Sequence, residues 1–410
     1  MRDDDLFPAA PETLARWLLA DLERGQAFGI PAQLFFRPDP SDPFRTTHRG
    51  IALETPLGAA AGPHTQMAQN IVTAWLCGAR YIELKTVQAN DRLTLTKPCI
   101  NALDEGYNCE WSQELRLAES REQYLAALVL ILGLRRLLGH PGADAEGGPG
   151  FAFDVSVGYD LQGITGSPMR RFLDALTTPS DDLAEMAARL APLNPAFRDL
   201  PLPERAATGV TISTMHGCPP EQTAAIARHF LAQRRLDTTI KLNPTLLGPE
   251  FVRTTLDSLG YGVEIPDSAF AGDLGFDQAL ELIGSLAREA RDAGVRLGLK
   301  LTNTLEVFNR GALPGAEAKA YLSGRALHPL AVNLAAKLRA ALGPGLPISF
   351  CAGVDALNAA ATVGAGLSPA TLCTELLKPG GYLRLRQCLE ALREAGTPPT
   401  LDEYAAATLA

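Results

Sequence analysis

The chain has 410 residues, enough for one large domain or two ordinary ones with a sizeable core. An apolar share of 46% beside 20% charged residues marks a globular protein and excludes a disordered or fibrous chain. A net charge of −9 leaves no basic field to hold nucleic acid or an anionic membrane surface.

The opening Met1-Arg-Asp-Asp-Asp-Leu-Phe7 carries no apolar segment of a secretion signal, so the expected compartment is the cytoplasm. A helix is predicted over 11–24, then a proline-rich linker up to residue 45. From there strand-length apolar runs alternate with longer amphipathic ones. Strands are predicted over 56–62, 81–87, 151–157, 209–214, 238–242, 296–302, 347–352 and 370–374. Helices are predicted over 65–76, 122–138, 220–233, 276–292, 329–342 and 355–363. The longest apolar run, 126–134, is too short to span a bilayer and leads into Arg135-Arg136. Residues 141–149 read as a mobile surface loop, and 243–275 as an insertion of irregular structure.

Strands apolar on both faces and separated by helices imply a parallel sheet. Eight such units predict an α/β fold of the (β/α)8 TIM-barrel type. The expected division is an N-terminal helical extension and linker over 1–45, packed on the outside of a barrel over 46–395, and a tail over 396–410. A doubly wound open sheet is the rival, but no G-x-G-x-x-G follows the first strand. The seven cysteines are dispersed and form no C-x-x-C, which excludes a disulfide framework, a zinc ribbon and an iron–sulfur cluster. Most are expected in the core.

A barrel carries its chemistry at the C-terminal ends of its strands. Three lysines, Lys85, Lys241 and Lys300, stand in or at the ends of apolar strands, where losing hydration is costly without an anionic partner. Glu83 or Glu54 could satisfy one of them, and a strand lysine can also snorkel outward. An electron-rich ring or a phosphate at the barrel mouth would explain all three together. The small residues at 59–62 and 351–353 would let a planar or phosphorylated ligand approach the backbone, although a narrow barrel interior also needs them. Asn243, Asn303 and Thr304 place polar groups where strand propensity disfavours Asn; they either read the N–H/C=O edge of a heterocycle or cap a loop. Cys218, between Gly217 and two prolines, puts a thiol on a tight loop ahead of a helix, an odd place for a packing cysteine.

The order of these motifs resembles the flavin barrel of dihydroorotate and dihydropyrimidine dehydrogenases. It is closer still to the barrel portion of the family labelled selenate reductase subunit. That family carries Ala-Gly-Pro-His-Thr-Gln, Glu-Leu-Lys-Thr-Val-Gln, Lys-Pro-Cys-Ile-Asn, Tyr-Asn-x-Glu-Trp-Ser, His-Gly-Cys-Pro-Pro, Asn-Pro-Thr-Leu-Leu-Gly, Lys-Leu-Thr-Asn-Thr and Leu-Leu-Lys-Pro-Gly-Gly-Tyr. Here they stand at 61–66, 83–88, 97–101, 107–112, 216–220, 243–248, 300–304 and 376–382. The resemblance implies FMN at the barrel mouth, its phosphate near Ser323, Gly324, Ala352, Gly353 and Thr374. Backbone at Ala61 and Gly62, with Lys85 and Thr86, would contact the flavin ring, and Lys241 would lie near its N1/O2 edge. Cys218 would be the general acid/base. Asn243, Asn303 and Thr304 would hold a pyrimidine- or purine-derived heterocycle, while His64 and His216 are candidate substrate contacts or loop caps. The implied reaction is a CH–CH oxidoreduction, with electrons passing through a separate FAD/iron–sulfur reductase protein; an oligomer is expected.

Two departures favour a second reading, a non-catalytic barrel subunit that docks a redox partner: the glycines around the phosphate positions are altered, and Glu375 puts a carboxylate beside Thr374. The loop before Cys218 is also lengthened, which argues for a substrate other than a simple pyrimidine. A metal-dependent lyase or hydrolase using His64, His216 and Cys218 is a third reading, but no H-x-H or comparable ligand spacing supports it.

Overall fold

The computed structural model of the chain describes residues 6–89, 96, 99–102, 107–108, 113–142, 148–158, 160–213, 219–311, 313 and 317–410. Eight parallel strands close into a barrel. They are β1 Leu57–Ala59, β2 Tyr81–Val87, β3 Ala152–Val157 and β4 Gly209–Ile212. The circle continues with β5 Asp237–Leu242, β6 Leu297–Leu301, β7 Ile348–Phe350 and β8 Ala370–Leu372. Closure is made by β8 pairing with β1 in the register Ala370↔Leu57. Each strand is buried on both faces against the barrel interior and the surrounding helices, which is why the runs read as continuous apolar stretches. A TIM barrel is therefore the fold, as its alternating pattern predicts.

The eight predicted strands all form, and the helix Phe276–Asp292 matches its predicted limits at both ends. Several expectations need correction. The insertion over 243–275 is not irregular throughout, since it holds the ten-residue helix Pro249–Ser258, whose Val252 and Leu256 are buried. The helix predicted over 355–363 starts only at Ala359, because Asp355 is spent in a turn that accepts the N–H groups of Leu357 and Asn358. Helices Ser167–Thr177 and Asp182–Leu190 add an outer layer between β3 and β4. Within the loop 141–149, residues 143–147 lie outside the described residues.

The two ends of the barrel are closed differently. At the N-terminal end a hairpin of Thr46–His48 and Ile51–Leu53 carries Arg49 into the barrel floor, where its guanidinium meets Asp154 at 2.7 Å. The Tyr81 hydroxyl donates to the same carboxylate at 2.7 Å. Beside it, Glu54 pairs with Arg80 and with Arg135 at 2.8 Å. At the C-terminal end, Leu305–Phe308, Lys319–Leu322, Ile100–Asn101 and Tyr107–Asn108 form a small four-stranded sheet from the loops after β6 and β2. Helix Pro11–Glu23 lies on the barrel's outside against helices Leu117–Leu137 and Asp182–Leu190. The last helix, Leu401–Ala407, packs on helix His328–Leu342. Among the described residues, no helix is long and apolar enough to cross a membrane.

Candidate functional site

The three strand lysines separate into two kinds. Lys300 is fully buried inside the barrel, 3.1 Å from Glu83, and donates to the Thr371 hydroxyl at 3.0 Å. It is thus a structural ion pair, and Glu54 serves arginines instead of a lysine. Lys85, at the end of β2, is 7% exposed, and Lys241, at the end of β5, is partly exposed. Burial works against the charge on Lys241, but Cys351, Glu83 and Cys373 outweigh it and raise its pKa above the usual lysine value. Glu83 shows the converse. Burial opposes its ionisation, yet Lys300 and Lys241 prevail and hold the carboxyl at about 2. The Glu83 carboxylate also accepts the Ala61 N–H at 3.0 Å, so it anchors the backbone of the loop after β1.

That loop is tight. A side chain at Gly62 would place its Cβ 2.7 Å from His64 Cε1 and 2.9 Å from the Cys373 sulfur. His64 itself is buried, and its ring nitrogens complete no hydrogen bond. Burial, partly offset by the Ala60 carbonyl and reinforced by Lys85, lowers its pKa to about 4, so the ring is neutral near pH 7. His48 and His140 are likewise buried without a completed bond at Nε2, and burial takes them to about 2 and about 4. All three values lie below the ordinary 6.5, so in falling pH the unfolded chain takes up protons the folded chain refuses. Thermal stability is therefore expected to fall as pH drops from 6.5 toward about 4, and His140→Phe should flatten that slope in a series of melting curves.

A second cluster forms beside Lys241. Asn303 donates to the Asn243 side-chain carbonyl at 2.8 Å and to the Lys241 backbone carbonyl at 3.3 Å, and accepts the Ser213 hydroxyl at 3.1 Å. Asn243 in turn donates to Asp273 at 2.9 Å, which also accepts the Thr245 hydroxyl at 2.6 Å. Two amides are thereby fixed in orientation at the barrel mouth. Thr304 is partly exposed next to them, and Thr86 shares a 2.7 Å hydrogen bond with Ser156.

Next to this cluster, Ser323, Gly324, Gly353 and Thr374 line a small cleft together with Cys351 and Cys373, the two cysteines that act on Lys241. The Ser323 and Thr374 hydroxyls are 3.3 Å apart. Gly353 has φ +57°, and a Cβ there would stand 2.6 Å from Arg325 Cα, so only glycine permits this turn. Ala352 is buried, and its carbonyl accepts from His328 Nδ1 at 2.7 Å. That bond leaves His328 Nε2 to accept the Tyr404 hydroxyl at 2.6 Å, so the C-terminal helix braces the loop. Glu375 is not an exposed repulsive charge, because Lys378 and Arg384 both pair with it. Asp355 is paired with Arg325 at 2.8 Å.

The structure thus brings together Ala61, Gly62, His64, Lys241, Ser323, Gly324, Gly353 and Thr374 around the mouth, with Asn243 and Asn303 beside Lys241. Cys218 and His216 lie outside the described residues. Asp273, His328, Tyr404 and the two mouth cysteines were not predicted. Cys77, Cys99 and Cys388 are buried as expected, but Cys351 and Cys373 are partly exposed. Their positions directly after β7 and β8 were the available signal; Asp273 had none, being 30 residues from its partner Asn243. Among the described residues no group of three or more His, Cys, Asp or Glu could hold a metal ion.

Comparison with known proteins follows the same lines. A ligand-free DHODH from Eimeria tenella superposes with a TM-score of 0.53 at 15% identity, covering 96% of this chain and 98% of that one. YgfK of Escherichia coli strain K12 is 44% identical over 387 residues, and its counterpart in strain O157:H7 gives the same figures. The match covers 89% of this chain, which spans only 37% of the length of these relatives. Residues 28–409 match the family described as "Oxidoreductase YgfK, N-terminal TIM-barrel domain". The chain belongs to that family, the N-terminal TIM-barrel domain of oxidoreductase YgfK.

Proposed function

We propose that this chain is an FMN-dependent oxidoreductase that moves hydride to or from a C–C bond of a pyrimidine- or purine-derived heterocycle, working in the cytoplasm. The observation that carries this reading is the grouping of a charged Lys241 with the oriented amides of Asn243 and Asn303 at the mouth, beside a hydroxyl- and glycine-lined cleft. The cleft's donor set fits a phosphate: two hydroxyls and backbone at Gly324 and Gly353, with Arg325 and Lys378 at its edge, each paired with a carboxylate whose charge it offsets. When bound there, FMN would supply the hydride chemistry that no side chain can.

The remaining work falls to the chain's own residues. Lys85 and Lys241 present positive charge where electron density would grow, which favours the transition state more than the ground state. Asn243 offers an N–H and a C=O in fixed positions, suited to the complementary edge of a ureide or purine ring. His64, neutral and packed against Gly62, closes the floor of the loop. Cys218 would exchange a proton with the substrate carbon, since a thiol with pKa near ~8.5 can both give and take it.

Electrons would pass through a separate FAD/iron–sulfur reductase protein or region, for which the additional length of the Escherichia coli relatives leaves room. The reading as a degenerate docking subunit drew on the altered glycines and on Glu375, and the pairing of that carboxylate with Lys378 and Arg384 weakens the second of these. The test is an FMN titration followed by fluorescence. Saturable one-to-one quenching is expected, and Gly353→Val should abolish it, because its Cβ collides with the backbone at Arg325. Absence of uptake by the unmodified protein would overturn the proposal.

A further inference from the structure

Lys241 and Lys300 are paired in register on the adjacent parallel strands β5 and β6, so their side chains leave the sheet on the same face. Two ammonium groups so placed repel, and more strongly in a dry barrel than in water. Glu83 reaches toward them from β2, across the barrel. Its Oε2 accepts the Ala61 N–H at 3.0 Å and lies 3.1 Å from Lys300 Nζ, while its buried Oε1 completes no hydrogen bond. Thr371 from β8 and the Tyr81 ring hold the other sides of Lys300, the latter 5.5 Å from Nζ. Asp154 from β3 acts on the same layer from below, and Cys351 and Cys373 act on Lys241 from β7 and β8.

We propose that Glu83 is a positioning residue of the cofactor site: it fixes the Ala61 backbone and, as the anion paired with Lys300 directly beside Lys241 in register, sets the charge that Lys241 presents at the mouth. The lysine excess of the barrel core is thus trimmed from inside. The role of Glu83 toward FMN rests on the reading given above; its control of Lys241 does not.

Two variants with opposite signs test this. In flavin-free protein, the pH profile of Lys241 reductive methylation is followed by mass spectrometry. Glu83→Gln keeps an acceptor for Ala61 but removes the anion, so the profile should move to lower pH. Lys300→Met removes the competing cation and should move it to higher pH, which keeps the test alive if Glu83→Gln does not fold. Profiles that coincide with the unmodified protein would overturn the proposal. In FMN-loaded protein, Glu83→Gln should raise the ratio of reduced to oxidised flavin at a fixed potential by about tenfold, because the net positive charge beneath the mouth rises when the anion beside Lys300 and Lys241 is removed. An unchanged ratio would also overturn it. Failure of every variant and of the unmodified protein to bind FMN would sink the flavin reading alone, and the Lys241 profile would still decide the role of Glu83.

Discussion

Cys218→Ala is expected to slow turnover by roughly 100-fold or more while FMN uptake stays at the level of the unmodified protein, since proton transfer by a positioned side chain contributes about that much. The reason lies in the division of labour at the mouth. On the proposed reading, Lys85, Lys241, Asn243, Asn303 and the cleft at Gly353 serve binding and charge, and Cys218 is the group that exchanges a proton with carbon. His64, a titratable ring described at the mouth, is held at about 4 by burial and stays neutral. Cys218→Ser should recover little, because a hydroxyl with a far higher pKa makes a poor acid/base at neutral pH. Single-turnover reduction with a candidate substrate, measured against the FMN binding curve of the same preparation, separates the two effects. Equal rates for Cys218→Ala and the unmodified protein would remove the thiol from the mechanism.

Glu54→Ala is expected to cost about 3–5 kcal/mol of stability, the range measured when one partner of a buried ion pair is removed. Glu54 sits just ahead of β1 and is the shared anion for Arg80 and Arg135, all of them buried. Burial opposes the charge on Arg80 and lowers its pKa to about 10, with Glu54 as the chief opposing influence. The Arg80 guanidinium also donates to the Trp75 carbonyl at 2.7 Å and stacks over the Trp75 and Phe36 rings, so it cannot swing out to water. Its stranded charge is the main penalty. Against a total of about 5–15 kcal/mol for a typical domain, that loss is large. Denaturant melts would show it as a lower midpoint. Because this cluster lies at the end of the barrel opposite the mouth, FMN affinity at a temperature where the variant is folded should not change. A midpoint within error of the unmodified protein would mean the arginines find other partners.

Most of the barrel was legible because parallel strands buried on both faces cannot alternate, and runs such as 81–87 and 152–157 announce themselves. Prediction overshot at the strands' C-terminal ends. Residues 213, 351–352 and 373–374 continue a strand-like composition, but there the backbone leaves the sheet to form the mouth. The cap sheet was not legible, since its strands over 100–101 and 107–108 are two residues long and one pairs with residues 321–322, far along the chain. Of the candidate site, the residue types at strand ends were readable, but their division of roles was not. Lys85, Lys241 and Lys300 look alike in sequence, and only the position of Glu83 makes Lys300 a core ion pair and leaves Lys241 at the mouth. Glu375 shows the same limit, because its sign of influence depends on Lys378 and on Arg384, which reaches it from the following helix.

The central claim, a flavin at the mouth of this barrel, is tested most directly by the visible absorption spectrum of the freshly purified chain, followed by addition of FMN and removal of the excess. A yellow protein with close to one flavin per chain is the predicted result. A colourless protein that retains no added FMN would contradict it.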